Sequence, residues 1–175
     1  MGKIKPPELV LLFVSTLYSS KNIFNQSNKI LEKHFGDILF VSPSLPWDYS
    51  SYYKDEIGWP LFRQFFFFKN LIDPGLLADI KLKTNEIESS LSSEGKRSIN
   101  LDPGYLTLSK VVLASTKNYT HRLYLGKGIY GEITLIYRDD TYHPHLYTYR
   151  DYQDKTHIDI FMNARSLLKK MLNQD

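Results

Sequence analysis

Short apolar runs and amphipathic stretches alternate along the first hundred residues. Residues 9–17 (LVLLFVSTL) are continuously apolar, which is typical of a buried β-strand. Residues 21–35 repeat their apolar positions at helical spacing and stop before Gly36, which predicts a helix. A second helix is predicted to begin at Asp73-Pro74, because aspartate caps helices well and proline suits their first turn. Three further segments have the pattern of strands: residues 37–41, 61–68 and 97–101.

These elements follow one another as strand, helix, strand, strand, helix, strand. That order is the pattern of a ferredoxin-like βαββαβ core, in which an antiparallel sheet carries both helices on one face. The chain has 175 residues and contains no internal repeat or long linker. We therefore expect a single α+β domain that covers residues 1–175.

The second half of the chain extends this core. Residues 121–125 and 129–138 predict a β-hairpin, and residues 142–147 suggest one more strand. Residues 107–116 fit either a short helix, which a threonine cap would begin, or a strand, which their paired valines would suit; we favour the helix. Residues 156–172 predict an amphipathic helix. The predicted fold is thus a ferredoxin-like core with an antiparallel sheet, extended by a C-terminal β-hairpin and a C-terminal helix.

Composition narrows the function classes only slightly. The chain is 42% hydrophobic and 23% charged, and it carries 13 Tyr and 10 Phe. Its net charge of +3 slightly favours anionic ligands over cationic ones. It contains no cysteine, so disulfides, thiolate metal sites and a cysteine nucleophile are excluded. The apolar runs are far shorter than the roughly 20 residues of a membrane helix, and no signal-peptide core is visible. We expect a cytoplasmic protein with no membrane partner.

A glycine motif occurs in the predicted hairpin. Residues 126–131 (GKGIYG) have the G-x-G-x-x-G spacing of the loop that covers nucleotide phosphates in protein kinases. The other kinase motifs are missing, and a strand follows the glycines where a dinucleotide-binding motif requires a helix. The favoured alternative is a three-residue turn over residues 126–128, which sets Arg122 opposite Glu132 as a cross-strand ion pair.

An anion site is predicted where the first half of the chain meets the second. Asn100 and Asp102 project from one face at the end of a predicted strand. If Thr107 caps a helix, the free amides of that helix and the nearby Lys110 point to the same place. The alternative is an ordinary turn over residues 102–104 beside a solvated lysine.

His121 is the best candidate for general acid–base chemistry among the five histidines. Lys117, Arg122 and Glu132 lie close to it in the sequence, and an unperturbed imidazole titrates near neutral pH. A structural histidine with satisfied hydrogen bonds is the alternative. His143-Pro144-His145 resembles a two-ligand metal pair, but no carboxylate stands at a fitting spacing.

Residues 148–152 (TYRDY) are a second polar group that follows a predicted strand. In one interpretation they complete a pocket with Tyr105 and His121. In the other they are ordinary loop residues.

Five separate segments carry a resemblance to known sequences: residues 53–58, 71–85, 99–117, 121–135 and 147–152. Taken in order, they resemble a bacterial family that is known only as a domain of unknown function. The resemblance implies a one-domain cytosolic protein, and it implies no catalytic residue. Some members of that family are labelled GTP-binding proteins, yet this chain lacks both the phosphate loop and the Asn-Lys-x-Asp guanine motif. Any GTP contact would therefore be unconventional, through the 126–131 hairpin with Lys110 and Lys117.

Two functions follow from these patterns. The first is a binding protein or enzyme for a phosphate-bearing small molecule, including a nucleotide such as GTP. In it, His121 serves as acid or base, while Asp102 and Glu132 orient the reacting groups or hold Mg²⁺, with Asp102, Lys110, His121 and Glu132 converging in one cleft. No other cofactor is indicated. Its predicted ligand-binding residues are Asn100, Tyr105, Lys110, Lys117 and Arg122.

The second function is a non-catalytic module for RNA or protein. The tyrosine-rich strands and the mild basicity of the chain motivate it. It requires exposed rings and cationic side chains on one open face of the sheet, and binding that weakens steeply with salt.

Overall fold

The computed structural model describes residues 2–173 and is an α+β structure built on one large antiparallel sheet. Its strands are β1 (Val10–Tyr18), β2 (Ile38–Val41), β3 (Leu45–Trp47), β4 (Leu61–Ile72), β5 (Ile99–Leu106), β6 (Lys110–Ser115), β7 (Leu123–Gly126), β8 (Ile129–Arg138) and β9 (Thr141–His143). Its α-helices are α1 (Lys21–Phe35), α2 (Lys54–Ile57), α3 (Leu77–Ser90) and α4 (Lys155–Leu172). Short 3₁₀ helices cover Pro74–Leu76 and Asp151–Gln153.

The strands lie in the order β2-β4-β1-β5-β6-β8-β7, with β3 added to β4 and β9 added to β8. All of these pairs are antiparallel. The predicted α+β class and antiparallel sheet are therefore confirmed. Within the described residues the sheet has nine strands, whereas a ferredoxin-like core has four.

Alternate residues of β1 pack into two cores on opposite faces of the sheet, as the two-residue period of a strand requires. On one face Phe13 packs against Phe161 of α4, with ring centroids 5.1 Å apart. On the other face Val14 belongs to a cluster that includes Phe24 of α1 and Ile80 of α3. Helices α1 and α3 thus cover one face, and α4 covers part of the other. We call the second one the α4 face.

The favoured helix over residues 107–116 is wrong, because most of this segment is strand β6. The Thr107 hydroxyl does accept hydrogen bonds from the amides of Ser109 and Lys110, at 3.1 and 3.0 Å. These bonds close the tight turn between β5 and β6 and do not begin a helix. Val111 and Val112 then pair with β8, where β-branched side chains pack well. Since this helix is absent, its amides form no anion site.

Strand β5 continues through residues 102–104, where the sequence predicted a strand end and a turn. Pro103 is tolerated because its missing N–H lies on the side where β5 has no partner strand. Gly104 allows a close approach, since a Cβ atom there would stand 2.3 Å from the Val112 carbonyl oxygen and 2.5 Å from the Phe13 ring. Asn100 and Asp102 accordingly lie within a central strand.

The predicted hairpin is present, but its turn is shorter than expected. Gly126 pairs with Ile129, so the turn consists of Lys127 and Gly128, both with positive φ. The extra residue appears instead as an irregularity in β7 between Tyr124 and Gly126. This two-residue turn with two positive φ angles matches the twist of a hairpin.

The other predicted elements agree with the structure to different extents. The helices predicted over residues 21–35 and 156–172 coincide with α1 and α4, within one residue at each end. The strand suggested over residues 142–147 is limited to β9. Strand β3 and helix α2 were not predicted. None of the helices in residues 2–173 combines the length and apolar character needed to cross a membrane.

Candidate functional site

The sheet splits between β5 and β6. These strands pair through residues 104–106 of β5, so within residues 2–173 the one strand beside residues 99–103 is β1. Two side chains of α3 satisfy the backbone at the split: Glu88 Oε1 accepts from the Leu101 amide, and Lys81 Nζ donates to the Leu101 carbonyl at 3.0 Å. Lys81 and Glu88 are seven residues apart and therefore lie on one side of the helix. The split thus brings charged side chains of α3 toward the α4 face.

A cavity of about 620 Å³ lies at this split, in the size range of small-molecule sites. It is bounded by β5, β6 and β8, by α3, and by two connecting segments, residues 47–53 and 149–152. Six aromatic side chains line it: Trp47, Tyr49, Tyr52, Tyr53, Tyr149 and Tyr152. Nine charged side chains line it as well: Arg63, Lys81, Arg97, Lys117, Arg150, Glu88, Asp102, Glu132 and Asp151.

Asp102 is held as a carboxylate in the cavity wall. Its Oδ1 lies 2.9 Å from Lys81 Nζ, and its Oδ2 accepts a hydrogen bond from Asn100. Burial alone would raise the pKa of Asp102, but Lys81, Arg63 and the Asn100 amide together hold that pKa below its usual value. This acid is therefore ionised at neutral pH.

Glu88 has the opposite electrostatic environment. Burial raises its pKa to about 7, with a further contribution from the negative charge of Asp102, against the lowering effects of Lys81, the Leu101 amide and Arg97. Arg97 Nη1 is 3.9 Å from Glu88 Oε2 and instead donates to Asn100 Oδ1 at 3.1 Å. Two carboxyls in one cavity thus differ in protonation near neutral pH, which is the arrangement that acid–base sites use.

A buried ion pair ties the C-terminal connecting segment to the sheet. Arg63 Nε on β4 lies 2.9 Å from Asp151 Oδ2, and Trp47 Nε1 donates to the same oxygen at 2.9 Å. Burial would lower the pKa of Arg63, but Asp151 outweighs this effect and raises it. One carboxylate therefore joins the two connecting segments to the strand beneath them.

Glu132 forms a second charged cluster, at the β8 side of the cavity. Its Oε2 lies 2.6 Å from Arg122 Nε and 3.0 Å from His121 Nε2, so the predicted pair of Arg122 with Glu132 is present. The His121 ring stacks on Tyr147 with a centroid distance of 4.5 Å. Arg122 also donates to the Tyr149 hydroxyl at 2.7 Å. Glu132 therefore lines the cavity, whereas His121 contacts Glu132 and does not itself line the cavity.

Two cations at the cavity have no acidic partner in residues 2–173. Lys117 and Arg150 take part in none of the ion pairs of that part of the chain. Lys117 Nζ instead lies 5.3 Å from the centre of the Tyr52 ring. The next ring, Tyr53, lies 4.9 Å from Tyr52 and 5.8 Å from the Arg97 guanidinium carbon. Lys117 and Arg97 thus flank one pair of tyrosines.

The structure brings together six of the eight residues that the sequence predicted for the site. Asn100, Asp102, Lys117 and Glu132 line the cavity. His121 and Arg122 contact Glu132.

The two remaining residues, Tyr105 and Lys110, do not line the cavity. Tyr105 packs against Leu77 and Val112 on the face that α1 and α3 cover. Lys110 pairs with Ile136 at the far end of β6, since the helix that was to place it near Asp102 does not exist.

Several cavity residues were not predicted from the sequence. Lys81 and Glu88 lie on a predicted helix and the aromatic residues 47–53 lie between two predicted strands, and no site role was assigned to either group. A signal was available, because Lys81, Asn85 and Glu88 recur at helical spacing immediately beside the apolar stripe of α3. Residues 149–152, by contrast, do line a pocket, but the interpretation that they share it with Tyr105 and His121 is wrong, because neither of these side chains lines the cavity.

Metal binding has little support from the side chains present. No group of three or more His, Cys, Asp or Glu in residues 2–173 is placed to hold a metal ion. Asp102 and Glu132, the proposed Mg²⁺ ligands, already bind Lys81 and Arg122.

Comparison with known proteins places the chain in a family without giving it an activity. No curated protein and no solved structure is significantly similar to it. Residues 8–167 match a family described as "Domain of unknown function (DUF4416)", and this match covers most of the chain. The chain therefore belongs to the domain-of-unknown-function family DUF4416.

Proposed function

We propose that the cavity binds a small phosphate-bearing molecule. The observation that carries this proposal is the surplus of positive charge: five cationic and four acidic side chains line the cavity. Each acid already has a cationic nitrogen within 4 Å, whereas Lys117 and Arg150 have no acidic partner in the described chain. Phosphate oxygens are the natural acceptors for such cations.

The aromatic wall supports a ligand with a planar ring beside its phosphate. Lys117 lies over the Tyr52 ring and Arg97 over the Tyr53 ring, so a planar group that packs beside either tyrosine would place its phosphate near one of these cations. Stacking of a base on an aromatic side chain contributes about 1–3 kcal/mol. Nucleotides, including GTP, therefore belong to the class of ligands to be tested.

A thermal-shift screen tests this function directly, with inorganic phosphate, nucleoside mono- and triphosphates and sugar phosphates as probes. A ligand that binds only the folded protein raises its melting temperature. We expect Lys117→Gln to weaken binding about tenfold, because one charge-assisted contact contributes roughly 1.5 kcal/mol.

The matched control is Lys110→Gln, which should bind like the wild type, because Lys110 begins β6 outside the cavity whereas Lys117 follows the other end of that strand. If no phosphate compound shifts the melting temperature, the proposed function is wrong. Equal losses in both lysine variants would mean that the ligand binds elsewhere.

The sequence predicted His121 as an acid or base, and Asp102 and Glu132 as groups that orient the reacting atoms or hold Mg²⁺. The geometry of the cavity modifies these proposed roles. His121 contacts Glu132 and does not line the cavity, so we propose that it acts on the ligand through Glu132. Asp102, ionised and bound to Lys81, would position donors of the ligand. The alternative function in RNA or protein binding requires an open face of the sheet, whereas α1 and α3 cover one face and α4 covers part of the other.

We also infer that the first half of the chain is a ferredoxin-like core. The order β2-β4-β1-β5 and the packing of α1 and α3 on one face support this inference. An experimental structure of the whole chain would test it, because a different order of these four strands would contradict it.

A further inference from the structure

Glu88 presents one free oxygen to the cavity. Its Oε1 is engaged by the Leu101 amide, which fixes the orientation of the carboxyl group. Its Oε2 makes no hydrogen bond with any described residue, and the only cationic nitrogen within 4 Å is Arg97 Nη1, at 3.9 Å. This distance exceeds hydrogen-bond length. Oε2 is therefore available to a ligand in the cavity.

Charged groups from several elements face this carboxyl. Lys81 lies on the same helix, Asp102 on β5, and Arg97 in the segment before β5. Lys81 is already bound to Asp102, and Arg97 is shared with Glu56 of α2, to which its Nε donates at 3.1 Å. Glu88 is thus the cavity acid that its cationic neighbours neutralise least, and burial raises its pKa to about 7.

An anion that binds Arg97 in this cavity would also lie beside Glu88. A phosphate oxygen that binds Arg97 Nη1 stands next to Glu88 Oε2, because these two atoms are 3.9 Å apart. An ionised carboxylate would repel that oxygen, whereas a neutral carboxylic acid would donate a hydrogen bond to it.

We propose that Glu88 binds the anionic group of the ligand as a neutral carboxylic acid and donates a hydrogen bond to it from Oε2. This inference rests on the proposed function. Above neutral pH, each binding event then takes one proton from solvent onto Glu88 Oε2, and no other bond forms or breaks. By linkage, the affinity for the anion falls as the pH rises above the pKa of Glu88.

Isothermal titration calorimetry of the full chain with inorganic phosphate tests the inference at pH 8, in two buffers of different ionisation enthalpy. The dependence of the binding heat on the buffer gives the number of protons taken up. Phosphate itself titrates near this pH, but its contribution is common to all variants. We expect the wild type to take up about one proton more per bound phosphate than Glu88→Gln. The matched control, Glu56→Gln, removes a carboxylate from the same arginine outside the cavity and should behave as the wild type.

Equal proton uptake in the wild type and Glu88→Gln would overturn the inference and leave the proposed function intact. Absence of phosphate binding in the wild type, together with a negative thermal-shift screen, would instead remove the proposed function and this inference with it. If Glu88→Gln does not fold, infrared spectroscopy of the wild type at pH 8 decides the matter. The C=O stretching band of a protonated carboxyl group should grow when phosphate is added, and a constant band contradicts the proposal.

Discussion

Glu88 also determines how the stability of the protein without ligand depends on pH. Its pKa rises from an ordinary value of 4.5 to about 7 on folding, so the folded protein holds this proton more tightly than the unfolded chain does. The contribution of Glu88 to stability should therefore fall as the pH rises from about 4.5 to about 7, and stay lower above that range. The ionised carboxyl destabilises the fold by up to about 3 kcal/mol.

Glu88→Gln removes this dependence and keeps an acceptor for the Leu101 amide. We expect the variant to match the wild type near pH 5 and to exceed its stability at pH 8, as measured by urea unfolding at both pH values. Glu56→Gln serves as the control, since its carboxylate is partly exposed at the surface. A stability difference between Glu88→Gln and the wild type that is the same at pH 5 and pH 8 would contradict the raised pKa.

At the level of elements, periodicity predicted the parts of the fold whose pattern is local. The apolar face of α1 and the continuous apolar run of β1 each give a clear period, and both elements lie where expected. The error over residues 107–116 has a physical cause, because a threonine hydroxyl accepts the same backbone amides in a tight turn as at a helix start. The pairing of β6 with β5 and β8 decides between a tight turn and a helix start, and this pairing is non-local.

The candidate site was predictable to a smaller extent, for a related reason. Asn100 and Asp102 share a face because residues of a strand alternate, and this was correctly predicted. Lys81 and Glu88 reach the cavity only because β5 and β6 separate, and no local pattern indicates such a split. Charged side chains on a helix are usually solvated, so the sequence alone gives no reason to place these two in a site.

The junction of α3 with β5 gives a prediction at the scale of these elements. Lys81→Met should destabilise the protein by about 3 kcal/mol, because it leaves the Asp102 carboxylate and the Leu101 carbonyl without their partner. Adding Asp102→Asn removes the isolated charge, so the double variant should be more stable than the sum of the two single losses implies. Urea unfolding of the four proteins at pH 7 measures the coupling. Strictly additive losses would show that the ion pair does not hold α3 to the split.

At the scale of the whole molecule, the cavity exists because distant parts of the chain meet over the sheet. Residues 47–53 and 149–152 are about a hundred positions apart in the chain. Asp151 belongs to the second segment and accepts a hydrogen bond from the indole N–H of Trp47 in the first. Arg63 completes the junction from β4. The two segments both line the cavity, so the same carboxylate supports both the fold and the site.

Asp151→Asn should therefore destabilise the protein and open the cavity together. The amide keeps an acceptor for Trp47 but leaves the Arg63 guanidinium buried without a counter-charge, which costs about 3–5 kcal/mol. Asp154→Asn is the matched control, because Asp154 lies three residues further on and accepts a surface hydrogen bond from Tyr49, whose loss should have a much smaller effect. Urea unfolding gives the loss of stability, and acrylamide quenching of Trp47 in a Trp59→Phe background reports the opening. If Asp151→Asn lowers stability while Trp47 stays as protected as in the wild type, Asp151 stabilises the fold without holding the cavity closed.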